Sequence, residues 1–282
     1  MNSRVRTIAS LCLMLVFMLL TAAPGLALFQ FDGSTRSLTE NRELADVPGI
    51  PRDRKELSAW SSRFGAFVAD HFGGRETLVA GYNYLHVRMG ISPSPRALIG
   101  RDGWLFLEQT QLTDANRGAL PLSDEQLEQL LASFERRQSY LDARGIAFLV
   151  MPVPDKHSVF PEFLPSSVKF VGDSRLEQFR QAMRGRDFNS VDTHAALLAA
   201  KDAGEEIYFQ TDSHWNSRGA WVAYRALMQR LHEAGYRGGT LIDESDVEFI
   251  RLDTYHPTDI VKNLLGLSGW IPEAHGIRAR VT

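Results

Sequence analysis

Cysteine is almost absent from this 282-residue sequence: the only one, Cys12, lies in an apolar N-terminal run. The rest of the chain therefore offers no disulfide, no thiolate metal ligand and no thiol nucleophile. An excess of charge is missing too, since the net charge is −3 and no basic or long acidic run occurs. We therefore expect no binding to nucleic acid. What remains is an ordinary globular composition, in a chain long enough to be stabilised by packing.

The N-terminus has the pattern of an export signal. Arg4 and Arg6 precede an uncharged, largely apolar segment from Thr7 to Phe31. Two alternatives stay open: cleavage after the small residue Ala27, or retention as a membrane-spanning anchor with the arginines on the cytoplasmic side. We favour the anchor, which would hold the protein at the inner membrane, whereas cleavage would release it. Both alternatives place the remainder in the periplasm or beyond it.

Three segments follow from the patterning. Residues 1–31 are the signal peptide or signal anchor, residues 32–96 a polar spacer with helical segments, and residues 97–282 an α/β domain. Helical spacing of apolar residues from Glu56 to Met89 predicts two helices separated by Gly73-Gly74. Asp102-Gly103 between two apolar runs predicts a β-hairpin.

Strands and helices alternate from residue 123 onwards. Helices are expected at 123–144, 173–184, 192–200 and 218–232, and short apolar strands at 146–150 and 188–191. This order predicts a parallel sheet covered by helices. In such sheets, active sites lie at the carboxyl ends of the strands. The piece from Gly235 to Thr282 is weakly patterned, with a polar loop at 253–258 and a short helix at 259–265.

The most informative stretch runs from Tyr208 to Ala220 and contains Asp212-Ser-His214. Residues two apart in an extended or tight-loop backbone project to the same side, so the carboxylate can orient the imidazole. This is the orienter-and-base pair that a hydroxyl nucleophile needs. A helix-capping aspartate with a surface histidine is the structural alternative. No cysteine and no closely spaced ligand completes a metal site, so we expect neither a metal nor another cofactor.

These residues resemble the AlgX/AlgJ group of alginate O-acetyltransferases, which have SGNH hydrolase-like domains. The strongest block is Thr211-Asp-Ser-His-Trp-Asn-Ser-Arg-Gly-Ala220. Further blocks occur in the same order: Glu40-Asn-Arg42, Asp70-His-Phe-Gly-Gly-Arg75, Arg101-Asp-Gly-Trp-Leu-Phe106, Pro152-Val-Pro-Asp-Lys156 and Val191-Asp192. The resemblance implies a three-layer α/β/α sandwich with a parallel sheet.

The same resemblance implies a serine hydrolase triad in which Asp212 orients His214 and His214 acts as general base and then as general acid. Tyr208, Trp215 and Lys156 become candidate contacts of the sugar substrate. The nucleophilic serine of the family lies in a Gly-x-Ser turn after a buried strand, and no such pattern follows Leu267. Ser268 has glycine neighbours, but no buried strand leads into it, so we do not expect it to be the nucleophile. The sequence is expected to stop short of the nucleophile.

Two functions of different classes fit these residues. One is an O-acetyltransferase of an exported, alginate-like polysaccharide, for which an esterase would share every residue and differ in the acceptor. The other is a non-catalytic, anchored polysaccharide-binding or scaffold subunit of an export and modification complex. The expected partners are the polysaccharide, a membrane-bound O-acyltransferase that supplies acetyl groups, and other envelope proteins that modify polysaccharide.

Overall fold

The computed structural model describes residues 3–26, 33–37, 39–109, 111–186, 189–236, 238, 241–252, 259–271 and 276–281. Helix α1 (Ser3–Leu26) contains most of the apolar N-terminal segment. Residues 27–31 of that segment lie outside the described residues. Among the described helices, none is both long and apolar enough to cross a membrane. The anchor prediction is therefore not confirmed.

The next segment is a small hairpin followed by two helices. The hairpin pairs β1 (Arg36–Ser37) with β2 (Arg42–Glu43). Helices α2 (Arg54–His71) and α3 (Arg75–Arg88) are separated at Gly74, whose φ of 78° only glycine adopts readily. The predicted break is thus correct. Helix α2 buries none of its side chains, so its apolar face stays largely exposed.

The hairpin expected around Asp102-Gly103 is present. Strand β3 (Ala97–Ile99) pairs antiparallel with β4 (Leu105–Leu107). Asp102 and Gly103 have φ values of 54° and 80°. Two consecutive positive φ values are what a two-residue type I′ turn requires, and this is why Asp-Gly is such a strong hairpin signal.

Six further helices are α4 (Leu112–Asn116), α5 (Asp124–Asp142), α6 (Lys156–Val159), α7 (Arg175–Met183), α8 (Thr193–Asp202) and α9 (Ser217–Glu233). Side chains cap the starts of α5, α7, α8 and α9, whereas α4 and α6 have no side-chain cap. Ser123 accepts a hydrogen bond from the N–H of Gln126, and the Gln126 side chain accepts one from the N–H of Ser123. Asp192 caps α8 by accepting from the N–H of Ala195 and also binds Arg180.

Where the sequence predicts a parallel sheet, the described residues contain a single parallel bridge. Val150 and Ser190 form a parallel bridge, in which the N–H of Val191 donates to the carbonyl of Val150 (2.9 Å). The rest of 146–150 forms no ladder, partly because the end of α5 retains the N–H of Ile146 (3.0 Å). Residue 188 of the second expected strand lies outside the described residues.

The C-terminal piece contains strands that the sequence analysis did not assign. Strand β5 (Val247–Leu252) pairs antiparallel with β6 (Gly276–Val281) along its full length. The predicted short helix is present as a π-helical segment, Asp259–Leu264. The polar loop at 253–258 lies outside the described residues.

Two buried clusters position the functional residues. One joins α3, the β3–β4 hairpin and the π-helical segment, and contains Ala80, Leu105, Ile260 and Leu265. The other joins α6 and α8 to the stretch before the Asp-Ser-His sequence, and contains Val159, Phe160, Leu197, Ile207 and Tyr208. Asp259 begins the π-helical segment of the first cluster, and Asp212 follows the stretch that belongs to the second. Packing therefore fixes the backbone at both residues.

Candidate active site

Residues 208–216, which we call the acid–base loop, form a tight antiparallel turn. Tyr208 and Trp215 make an antiparallel bridge at its base. Helix α9 approaches so closely that a Cβ at Gly219 would lie 2.2 Å from the carbonyl oxygen of Ile207. Only glycine fits there, and the loop is therefore held against the first turn of a helix.

The Asn216 side chain holds the end of this loop in place through hydrogen bonds. Its Oδ1 accepts hydrogen bonds from the N–H groups of Arg218 (2.9 Å) and Gly219 (3.1 Å), as expected for an N-cap. Its Nδ2 donates to the carbonyl of Glu206 (2.6 Å). Asn216 is thus the N-cap of α9.

The Asp212 and His214 side chains face each other. Asp212 Oδ1 lies 2.7 Å from His214 Nδ1 and accepts from the His214 N–H (3.1 Å). The Asp212 side chain is 2% exposed, whereas that of His214 is 70% exposed. A buried carboxylate that holds Nδ1–H leaves the lone pair on Nε2, and Nε2 makes no hydrogen bond within the described residues. The pair therefore has the geometry of an orienter and a general base.

A second carboxylate, Asp259, completes the cluster. It accepts hydrogen bonds from the Ser213 N–H (3.1 Å) and hydroxyl, and its Oδ2 lies 3.4 Å from His214 Nδ1. Its own N–H lies 3.4 Å from Asp212 Oδ2. Burial raises the pKa of Asp259, the Ser213 hydrogen bond opposes this, and the charge of Asp212 adds to it. Sequence reasoning placed this residue only at the start of a short helix.

These three side chains could also hold a cation. One donor atom each from Asp212, His214 and Asp259 lies within 4.8 Å of the other two. The sequence spacing offered no third ligand, but folding supplies one. A cation bound through Nδ1 would compete with the hydrogen bond between Asp212 and His214. The same atoms thus serve either a metal or a general base, and the short contact present is the one that a general base needs.

A cavity of about 220 Å³ lies beside the acid–base loop. Ser213 and His214 face it from the loop, and Asp155 and His157 face it from the segment around α6. The remaining wall consists of Lys156 and a mainly apolar set: Leu107, Leu112, Val153, Pro154, Tyr208 and Trp215. The exposed imidazole therefore stands at a small recess with a largely apolar wall.

Comparison with known protein families matches residues 97–276, well over half of the chain, to the family described as "SGNH hydrolase-like domain, acetyltransferase AlgX". The chain belongs to this family. The match confirms both the resemblance seen in the sequence blocks and the SGNH hydrolase-like fold class.

Curated relatives of this AlgX-family chain share one name. "Probable alginate O-acetylase AlgJ" of Pseudomonas aeruginosa is 31% identical over 143 residues, which are 49% of this chain and 34% of the relative. The protein of the same name from Pseudomonas putida is 27% identical over 149 residues, 51% of this chain and 36% of the relative. The chain thus spans about a third of the length of these relatives.

Similar solved structures include the O-acetyltransferase domain of Pseudomonas putida AlgJ, with a TM-score of 0.43 and 23% identity over 66% of this chain and 64% of that one. Pseudomonas aeruginosa AlgX gives a TM-score of 0.41 and 21% identity, covering 72% of this chain and 47% of that one.

Lys156 of this AlgX-family domain lies beneath the acid–base loop instead of on its surface. It is 3% exposed, and its Nζ donates to the carbonyls of Leu105 (2.7 Å), Gln210 (2.8 Å) and Asp212 (3.0 Å). It also lies 4.8 Å from the centre of the Trp104 ring. All three N–H bonds of the ammonium are accounted for, so Lys156 positions the loop, and its role as a sugar contact stays a prediction.

The two candidate aromatic contacts differ. Tyr208 is 8% exposed, and its hydroxyl donates to the carbonyl of Pro154 (2.9 Å). Burial and the nearby Asp155 raise the pKa of Tyr208. Its ring packs edge-on against Phe160, 5.8 Å away. Tyr208 is thus mainly part of the core, whereas Trp215 is half-buried and faces the cavity.

Ser268 is not beside His214. It is exposed and lines a different cavity, together with Gly266 and Trp270. The only serine that contacts His214 in the described residues is Ser213, whose Oγ lies 3.4 Å from Nδ1. That is the wrong nitrogen for deprotonation, because Asp212 already occupies it.

Two ionisable groups at the cavity were not predicted as site residues from sequence: Asp155, which is exposed, and His157, which is buried. The surrounding protein partly desolvates the Asp155 carboxyl and raises its pKa, and a hydrogen bond from Asn116 opposes this. Burial, and then the charge of Lys156, lower the pKa of His157 to about 4, so this imidazole is neutral at physiological pH. Both flank Lys156, and residues 152–156 were quoted from the sequence only as one of the blocks that carry the family resemblance.

Proposed function

We propose that this chain carries the acid–base centre of an O-acetyltransferase that acts on an exported polysaccharide. One observation carries the proposal: the contact of 2.7 Å between Asp212 and the Nδ1 of His214, with the rest of the imidazole exposed at a recess. Membership of the AlgX family and the names of the curated relatives support this choice of reaction. Alginate, which those names contain, is the first polysaccharide to test.

The reaction proceeds in two acyl transfers. In the first, His214 Nε2 takes the proton of a serine hydroxyl while the oxygen attacks the carbonyl of an acetyl donor, and the imidazolium then protonates the leaving group. In the second, Nε2 takes the proton of a sugar hydroxyl, which attacks the acetyl-serine. The serine oxygen leaves with the proton from His214, and the sugar carries the new ester. Asp212 stabilises the imidazolium in both steps. The serine stays unassigned.

We also propose a setting for this reaction. The positively charged start and apolar run of the N-terminus support export to the periplasm. An acetyl group used there must be carried across the membrane, and a membrane-bound O-acyltransferase would supply it. Water in place of the sugar hydroxyl would make the protein an esterase with the same residues.

A sulfonyl fluoride, which traps activated serines, tests the proposal on the full-length protein. We expect one covalent adduct, located by peptide mass spectrometry, and acetyl transfer from p-nitrophenyl acetate to a polysaccharide. Both should fall by about 10³-fold or more in His214→Ala. His86→Ala, which removes a half-buried histidine on α3, is the matched control. Full reactivity in His214→Ala, or no adduct on the wild-type protein, would refute the proposal.

A non-catalytic role as a polysaccharide-binding or scaffold subunit is the second candidate. It is favoured by one observation: within the described residues, Nε2 of His214 makes no hydrogen bond to any serine. This alternative predicts polysaccharide binding that His214→Ala leaves unchanged, together with no acetyl transfer under any condition.

A further inference from the structure

A second and larger cavity, of about 850 Å³, lies away from the acid–base loop. The β1–β2 hairpin, the start of α3 and the stretch 262–270 form its walls. We call it the basic cavity, because Arg36, Arg75 and Lys262 line it. The π-helical segment connects the two sites: Asp259 at its start contacts Ser213, and Lys262, three residues later, faces the basic cavity.

Specific contacts hold the walls of the basic cavity in place. Glu76 on α3 accepts from the Ser37 hydroxyl (2.5 Å) and the Thr39 N–H (3.0 Å), which ties the hairpin to the helix. Gly266 has a φ of 64°, and a Cβ there would lie 2.1 Å from the carbonyl oxygen of Thr39. The hairpin therefore rests directly on the backbone of Gly266. Asn83 donates to the carbonyl of Leu265 (2.8 Å) and fastens the third wall.

The acidic groups of the basic cavity are engaged internally. Asp70 accepts from Arg42 (2.9 Å) and from the N–H of Ala45 (2.8 Å). The Arg42 hydrogen bond holds the pKa of Asp70 well below its usual range. Glu76 is occupied by the hairpin as described. Asp70 is thus paired with a cation, whereas Glu76 accepts only from uncharged groups among the described residues.

Of the three basic side chains that line the cavity, only Arg75 forms an ion pair within the described residues. Arg36 donates to the side chain of Asn41, and Arg75 pairs with Glu40 (2.5 Å). Lys262 is exposed, and within the described ranges neither it nor Arg36 forms an ion pair. Arg36 and Lys262 outnumber Glu76, the lining carboxylate without a cationic partner among the described residues, and this excess of positive charge attracts an anion.

An aromatic ring stands beside these cations. Trp270 is 41% exposed and lines the basic cavity. It packs on α3 through Tyr84, with ring centres 5.6 Å apart, and its edge lies 3.8 Å from the position of a Cβ at Gly81. The helix fixes the indole while much of it remains open. A fixed, exposed indole is a surface on which the C–H face of a sugar ring can stack.

From this combination we propose that the basic cavity is a second carbohydrate site, which binds an acidic sugar residue through Lys262, Arg36 and Trp270. The cations bind the carboxylate, and the indole packs against the ring. The identity of the ligand as part of the polysaccharide rests on the proposed function. The cavity thus holds the chain at a distance from His214, so that a hydroxyl elsewhere on the same chain reaches the acid–base loop.

Binding is measured by calorimetry with the full-length His214→Ala protein, so that no acetyl transfer is needed. The probes are an oligogalacturonate and a neutral gluco-oligosaccharide of the same length. We expect the acidic oligosaccharide to bind, the neutral one to bind about tenfold or more weakly, and the difference to shrink as salt rises from roughly 50 to 500 mM. Equal affinity for the two would overturn the proposal.

Lys262→Ala and Trp270→Ala should each weaken oligogalacturonate binding by about tenfold. Lys169→Ala and Tyr140→Ala, which remove an exposed lysine and a 59% exposed tyrosine far along the chain, are the matched controls. The site would be refuted if Lys262→Ala and Trp270→Ala left oligogalacturonate binding unchanged. It would also be refuted if Lys169→Ala and Tyr140→Ala weakened binding by the same factor. Retained acetyl transfer in His214→Ala, together with intact binding, would refute only the acid–base role of His214.

Discussion

The cavity beside His214 and the basic cavity use their charged groups in opposite ways. At the smaller one, Asp212 and Lys156 are buried and held by hydrogen bonds, and His214 and Asp155 are the exposed ionisable groups. At the larger one, Asp70 is paired with Arg42, Glu76 accepts from uncharged groups, and Lys262 stays exposed. Buried, fully paired charges fix one side chain for proton transfer, whereas exposed unpaired ones attract a charged ligand. The difference suggests one site for chemistry and another for holding the substrate.

Removing the buried ammonium should give the largest effect. Lys156→Met keeps the packing against Trp104 but removes the Nζ donor of three carbonyls. The carbonyl of Gln210 retains the N–H of Leu105 (3.0 Å), and a buried carbonyl that loses its donor costs about 1–3 kcal/mol. We expect a loss of about 3 kcal/mol or more in the free energy of unfolding, measured by urea titration. Lys262→Met, at the exposed lysine of the basic cavity, should change it by less than about 0.5 kcal/mol. Equal losses would remove the contrast between the two sites.

Alanine substitutions at two glycines test the same comparison at the basic cavity. Gly266 and Gly269 both have positive φ, 64° and 81°, but only Gly266 touches another backbone. Gly269→Ala should cost the strain alone, about 1–2 kcal/mol. Gly266→Ala should cost more, and should also weaken oligogalacturonate binding because the hairpin must move. Identical stability and binding in the two variants would show that the contact with Thr39 does not shape the cavity.

As the pH falls, the region around α6 and the β1–β2 hairpin should lose stability at different pH values. The depressed pKa of His157, about 4 against 6.5 when unfolded, means that its contribution is complete above about pH 6.5 and is lost as the pH falls towards 4. Asp70, whose pKa is lowered from 3.8, keeps its contribution until the pH falls below about that value. Hydrogen exchange at about pH 5 should therefore rise around α6 before it rises in the β1–β2 hairpin.

His157→Gln is the control for this difference. It removes the titrating group, so the stability around α6 should change little between roughly pH 6.5 and 4.5. The wild-type protein should lose a few kcal/mol at most over that range. A wild-type protein with the same pH profile as the variant would show that His157 does not titrate in this window.

Local patterns in the sequence were reliable where the structure depends on neighbours along the chain. The break at Gly73-Gly74, the Asp102-Gly103 turn and the caps at Ser123, Asp192 and Asn216 all follow from short-range chemistry. The strands β5 and β6 were missed because their pairing joins residues about 30 apart, although apolar and charged residues alternate from Ile277 to Val281 as they do in a strand.

The sequence by itself determined the Asp212–His214 pair, since two side chains separated by one residue face the same way in a tight turn. Only the tertiary structure decided what surrounds that pair. Asp259 and Lys156 reach the loop from segments about 50 residues away in either direction, and Lys156 lies buried beneath it. Such contacts depend on how helices and hairpins pack, and a pattern of neighbouring residues does not encode packing over that distance.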